Sequence, residues 1–100
     1  MDEYNVIISP AAQNDLHDVM EHLEVLPGDA AAQYLELFID KTAVLSSSPE
    51  SNPLARDTQL RLRGYRFLPI ENYIVFYVIN GNVVDIRRIL YARRQYEWLF

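Results

Sequence analysis

The second half of the chain is crowded with arginine and tyrosine: Arg61, Arg63, Tyr65, Arg66, Arg87, Arg88, Tyr91, Arg93, Arg94 and Tyr96. Arginine carries a planar fork that donates paired hydrogen bonds to phosphate or carboxylate, which the point charge of lysine does not. Interleaved tyrosines add rings for base stacking and hydroxyls for proton transfer. The set therefore suits recognition of an anion and, at its most demanding, metal-free chemistry on a phosphodiester. Acidic peptides are bound by surfaces of the same kind. Arg66, Arg93 and Arg94 fall near expected strand ends and are the candidates for phosphate contact. Arg87 and Arg88 are adjacent, so on a strand they point to opposite sides. One of the two is expected to be covered and paired, near Asp85 or with a helix carboxylate.

Other chemistries find little support. There is no cysteine, which removes disulfides and thiolate nucleophiles. His17 and His22 are five residues apart on one expected helix, roughly 140° around its axis, and do not share a face. No glycine-rich phosphate loop or nucleophile elbow occurs. No metal and no cofactor is expected.

The 100 residues suit one domain spanning 1–100. Half of them are apolar and 12% are aromatic, enough for a core. The net charge of −5 hides a split. Residues 1–55 hold one base, Lys41, against ten acids, a net −9; residues 56–100 hold eight arginines against four acids, a net +4. Such asymmetry raises the odds of an anionic partner, against the plainer reading of solvated helix and strand surfaces. The start, MDEYNVIISP, has acids where a signal peptide has bases, and its apolar run is too short to span a bilayer. A cytoplasmic protein with no membrane contact is expected.

The elements follow from periodicity and punctuation. Residues 4–8 are β-prone, and Ser9-Pro10 supplies an N-cap with proline at the first helical position. Leu16, Val19, Met20 and Leu23 repeat along one helical face, with Asp15, Asp18, Glu21 and Glu24 on the wet side. Pro27-Gly28 ends that helix, and Asp29 can cap a second one to about residue 45. Leu35, Phe38, Thr42 and Leu45 are expected on its buried side. Residues 46–63 read as a long loop hiding a short turn at 57–62. Residues 65–70 form a strand that Pro69 confines to an edge or a bulge. Residues 73–79 are apolar on both faces, as a central strand is. Asn80-Gly81-Asn82 signals a hairpin, and residues 83–90 return. The order β-α-α-β-β-β predicts an α+β fold, an antiparallel twisted sheet with a two-helix hairpin over one face. The other face is expected to stay exposed and to carry arginine. For the closing aromatic tail, with Trp98, Leu99 and Phe100, packing onto the core is the expectation.

The segments Gly64-Tyr65-Arg66-Phe67, Asn72 to Tyr77 and Val83 to Arg94, with the opening Val6 to Ala12, resemble the RelE/ParE family of bacterial toxins. The resemblance implies the growth-inhibiting toxin half of a type II toxin–antitoxin pair, of the kind used in plasmid stabilisation, held by a cognate antitoxin. RelE-like members are mRNA interferases that cut message on the ribosome without metal; ParE-like members inhibit DNA gyrase and are not enzymes. Carried over by position, the RelE-like reading makes Arg66, Tyr91, Arg93, Arg94 and Tyr96 the candidate catalytic residues. Arg61, Arg63, Arg87 and Arg88 are left to bind antitoxin or nucleic acid. Two usually basic positions are Leu68 and Ile74 here. The expectation is mRNA cleavage on the ribosome, with gyrase inhibition, or a degenerate member that only binds antitoxin, as the alternatives.

Overall fold

In a computed structural model that describes residues 3–93 and 99–100, the expected elements form in the expected order. Strand β1 (Asn5–Ile8) leads into α1 (Pro10–Glu24). The Ser9 hydroxyl accepts the Ala12 amide at 3.3 Å, and Pro10 fills the first helical position. Helix α2 (Ala30–Ala43) returns antiparallel to α1 and is followed by two single 3-10 turns, Val44–Ser46 and Pro49–Ser51. The short turn expected at 57–62 is a true helix, α3 (Thr58–Leu62), because Asp57 accepts the Leu60 amide at 3.0 Å as its N-cap. Strands β2 (Arg66–Ile70), β3 (Tyr73–Asn80) and β4 (Val83–Tyr91) complete the chain.

The sheet order is β1-β4-β3-β2. The last three strands form the expected antiparallel meander, while β1 joins β4 in parallel, so the sheet is mixed. The β3–β4 hairpin closes through Gly81, at φ 61°, with Asn80 already paired to Val83. The turn thus uses glycine at its first central position instead of the Asn-Gly order. Pro69 is exposed on β2, whose outer edge, among the described residues, meets loop: the Ala55 amide donates to the Tyr65 carbonyl at 2.8 Å, and the Phe67 amide to that of Pro53 at 3.2 Å.

Helices α1 and α2 cover one face through Val19, Tyr34 and Phe38, packed on Tyr73, Val75, Tyr77, Val84, Ile86 and Ile89. On α2, Tyr34 takes the buried place expected for Leu35, which is 38% exposed. The second face is not the bare arginine surface the pattern predicts. Ala55, Leu60, Tyr65, Phe76 and Leu90 form a second core there, with Leu99 and Phe100 packed against it. Phe100 stacks edge-on to Tyr65 (4.9 Å) and to Phe76 (5.2 Å), so these two tail residues pack as expected. Trp98 lies outside the described residues.

Candidate functional site

A bulge in β4 organises the arginines. Phe76 pairs with Arg88 and Tyr77 with Ile86, leaving Arg87 as the extra residue. Side-chain parity inverts there. Val84 and Ile86 face the helices before the bulge, and Ile89 faces them after it. This is why neither side of the strand reads cleanly in sequence.

The bulge sits where β1 ends, and α1 seals the edge of β4 beyond it. The Ser9 amide donates to the Ile86 carbonyl at 2.9 Å and its hydroxyl to the Arg87 carbonyl at 3.1 Å. Asp15 then accepts the Ile89 amide at 2.9 Å and grips Arg88: Nε to Oδ2 at 2.7 Å, one terminal nitrogen to Oδ1 at 3.0 Å. The other terminal nitrogen of Arg88 donates to the Leu99 carbonyl at 3.1 Å. Arg88 is thus the covered, hydrogen-bonded arginine of the two, and its partner is a helix carboxylate, while Arg87 keeps a looser ion pair with Asp85 at 3.7 Å. Asp15, expected on the wet side of α1, is largely covered. The hydrogen bonds that Arg88 donates to Asp15 raise the pKa of its guanidinium.

Arg66 is also tied down. Its guanidinium donates to the carbonyls of Asn52 (2.6 Å) and Glu50 (3.3 Å). Asn52 in turn donates to the Tyr77 hydroxyl at 3.1 Å, which donates to the Pro49 carbonyl at 2.5 Å. Arg66 faces Tyr77 across β2–β3, and Tyr91 faces Tyr73 across β3–β4. Four residues and two strand spacings separate them, roughly 17 Å by strand geometry. The two candidates therefore stand at opposite corners of the helix-covered face.

Tyr91 stacks edge-on to Tyr73 at 5.7 Å and opens onto a groove of about 420 Å³ beside Asp15, Asp18 and His22. Its surroundings are acidic, a feature that only the packing of α1 on β4 reveals. Arg93 is exposed in the turn after β4, and Arg61 is exposed on the last turn of α3. Arg94 and Tyr96 lie outside the described residues. Leu68 packs into the helix-side core, whereas Ile74 lies on the second face. There Ile74 lines a cavity of about 250 Å³ with Leu60, Phe67 and Phe76, and Arg56 and Asp57 also border it.

Arg63 and Arg87 are both exposed and line a third cavity, of about 320 Å³. The Arg63 guanidinium lies 5.3 Å from the centre of the Tyr65 ring. Among the described residues no group of three or more His, Cys, Asp or Glu could hold a metal, and no helix is long and apolar enough to cross a membrane.

A family described as the ParE toxin of type II toxin–antitoxin system, parDE, matches residues 6–96. A chain of the chromosomal ParDE toxin–antitoxin system from P. aeruginosa shares the fold with a TM-score of 0.75 at 18% identity, covering 91% of this chain and 98% of that one. A chain of the toxin–antitoxin complex RelBE2 from Mycobacterium tuberculosis shares the fold with a TM-score of 0.60, at 23% identity and with coverage of 89% and 98%. YafQ from E. coli gives a TM-score of 0.59 at 13% identity, over 89% and 93%. No curated protein matches the chain in sequence.

Proposed function

The chain belongs to the ParE toxin family of type II toxin–antitoxin systems, and from that premise we propose that it arrests growth by binding and blocking DNA gyrase, without cutting RNA. The observation that carries this reading is the environment of Ile74. It stands where RNA-cutting relatives are expected to hold arginine, and its cavity is walled by Leu60, Phe67 and Phe76, with Arg56 and the acid Asp57 side by side at its border. Metal-free cleavage of a phosphodiester depends on charge held against the transition state, and losing one such donor costs about 10²–10³ in rate. Two of the remaining candidates offer no replacement. Arg66 is engaged by loop carbonyls. Tyr91 opens onto a groove bordered by the exposed Asp18, whose charge disfavours phosphate, and by Asp15, which is already paired with Arg88.

The reading also gives the toxin a cognate antitoxin, as the ParDE and RelBE2 systems that share its fold have. Its target is cytoplasmic. Two assays decide between the mechanisms. Purified protein should block gyrase supercoiling at micromolar concentration, and primer extension on message from induced, arrested cells should show intact mRNA. New codon-positioned ends with uninhibited gyrase would overturn the proposal in favour of ribosome-dependent mRNA cleavage.

A further inference from the structure

We propose that the cavity between Arg63 and Arg87 is a carboxylate site that receives an acidic side chain of the antitoxin, an assignment that rests on the toxin–antitoxin reading above. The bulge at Arg87 leaves that residue without a cross-strand partner, and bulges commonly re-aim a side chain in this way. Arg87 is exposed, and among the described residues it forms one loose ion pair, with Asp85 at 3.7 Å, beyond hydrogen-bond length. Arg63 makes no ion pair among the described residues and is held over the Tyr65 ring. Two guanidiniums with donors to spare therefore border one small cavity. The third nearby arginine, Arg88, is neutralised by Asp15.

The rest of the lining favours a carboxylate on a peptide over a nucleic acid. Pro10 and Ala11 place the amino end of the α1 dipole at the cavity, which attracts negative charge. Tyr65 and Phe100 form an apolar wall. Tyr65 is 3% exposed, so its ring is not offered to a stacking base. A nucleic-acid backbone requires a continuous track of bases, and its binding is driven by phosphate neutralisation. This chain carries −5 overall, with ten acids in its first half. A single acid flanked by apolar residues fits both the charge and the walls.

The test uses the full chain and two probes: a capped octapeptide alternating glutamate and leucine, and the oligonucleotide dT8. Binding is read by fluorescence anisotropy over a range of salt. The peptide should bind the unmodified protein and the control R56Q/R93Q equally, and at least tenfold more weakly to R63Q/R87Q. In the unmodified protein, the side-chain Nε–H resonances of Arg63 and Arg87 should shift on adding peptide, a readout that needs no variant. Unchanged peptide affinity in R63Q/R87Q, static resonances, or tighter binding of dT8 would each overturn the site. The gyrase assay separates this from the preceding proposal. If gyrase is not inhibited but the peptide result holds, the target assignment fails and the site stands.

Discussion

Asp15 and Arg88, 73 positions apart in the chain, meet in a two-point ion pair, and the same carboxylate caps the Ile89 amide on the open edge of β4. Arg88 extends the link to the Leu99 carbonyl. One contact thus fastens α1, the sheet edge and the chain end. Both side chains are mostly covered, Asp15 at 11% and Arg88 at 21% exposure, so removing either strands its partner. Asp15→Ala is expected to lower stability by about 2–4 kcal/mol. Replacing both members, as in D15A/R88M, should cost less than the two single changes together, because no unpaired charge remains. Urea denaturation of the four proteins in the cycle measures this. The exposed His17–Glu21 pair at 3.2 Å is the control, and Glu21→Ala should leave the midpoint unchanged.

A second link joins loop to sheet. The guanidinium of Arg66 holds the carbonyls of Glu50 and Asn52, and Tyr77 completes the clasp. Arg66→Ala should therefore act as a stability change, costing about 1–2 kcal/mol, with faster amide exchange in residues 49–55. Hydrogen exchange measured by mass spectrometry reads both quantities. A phosphate-binding Arg66 would instead leave exchange in that loop untouched.

Backbone geometry supplies a third prediction. Glu71 turns the chain between β2 and β3 at φ 56°, a region that L-residues other than asparagine and aspartate rarely occupy. Glu71→Gly relieves that strain and should stabilise the fold by about 1 kcal/mol. The thermal midpoint would rise by roughly 4–8 °C for a domain of this size. Gly81→Ala, at φ 61° in the other hairpin, should move the midpoint the opposite way.

These contacts separate what is legible in the chain from what is not. Ser9 and Pro10 announce a helix start because a cap acts within three residues of itself. The apolar run of β3 announces a central strand because both its faces are buried. Asp15 does not announce its role: on a helical wheel it groups with Asp18 and Glu21, and only the position of β4 against α1 makes it a partner. Residue parity in β4 is hidden for the same reason, since the register of β3 decides where the bulge falls. The cover over the second face comes from residues 55–65 and from Leu99 and Phe100, which carry no periodic signal. The arginine and tyrosine candidates could be named by type. The dispersal of Arg66 and Tyr91 across opposite corners follows from the strand order, with β3 between β2 and β4.

The buried tyrosines make stability depend on alkaline pH. Tyr34 is 3% exposed, and its hydroxyl finds no hydrogen-bond partner among the described residues. Burial pushes its pKa well up from the ordinary value of about 10, and the nearby Tyr73 and Glu71 charges add to this. Burial also raises Tyr73 and Tyr77. Above about pH 10 the unfolded chain loses protons that the folded protein keeps, so the unfolded state binds fewer protons and stability falls as pH rises. The stabilisation is complete below that pH and disappears as pH climbs through the folded-state values. Tyr34→Phe removes one of the three titrations and an unsatisfied buried hydroxyl together. It should gain about 1 kcal/mol at neutral pH. At high pH its stability should decline less steeply, by up to one proton, or about 1.4 kcal/mol per pH unit. Tyr77→Phe, which severs the bonds to Pro49 and Asn52, should lose stability at neutral pH instead. Denaturation midpoints collected from pH 7 to 11 test both variants, and equal alkaline slopes for Tyr34→Phe and the unmodified chain would rule out Tyr34 as a contributor.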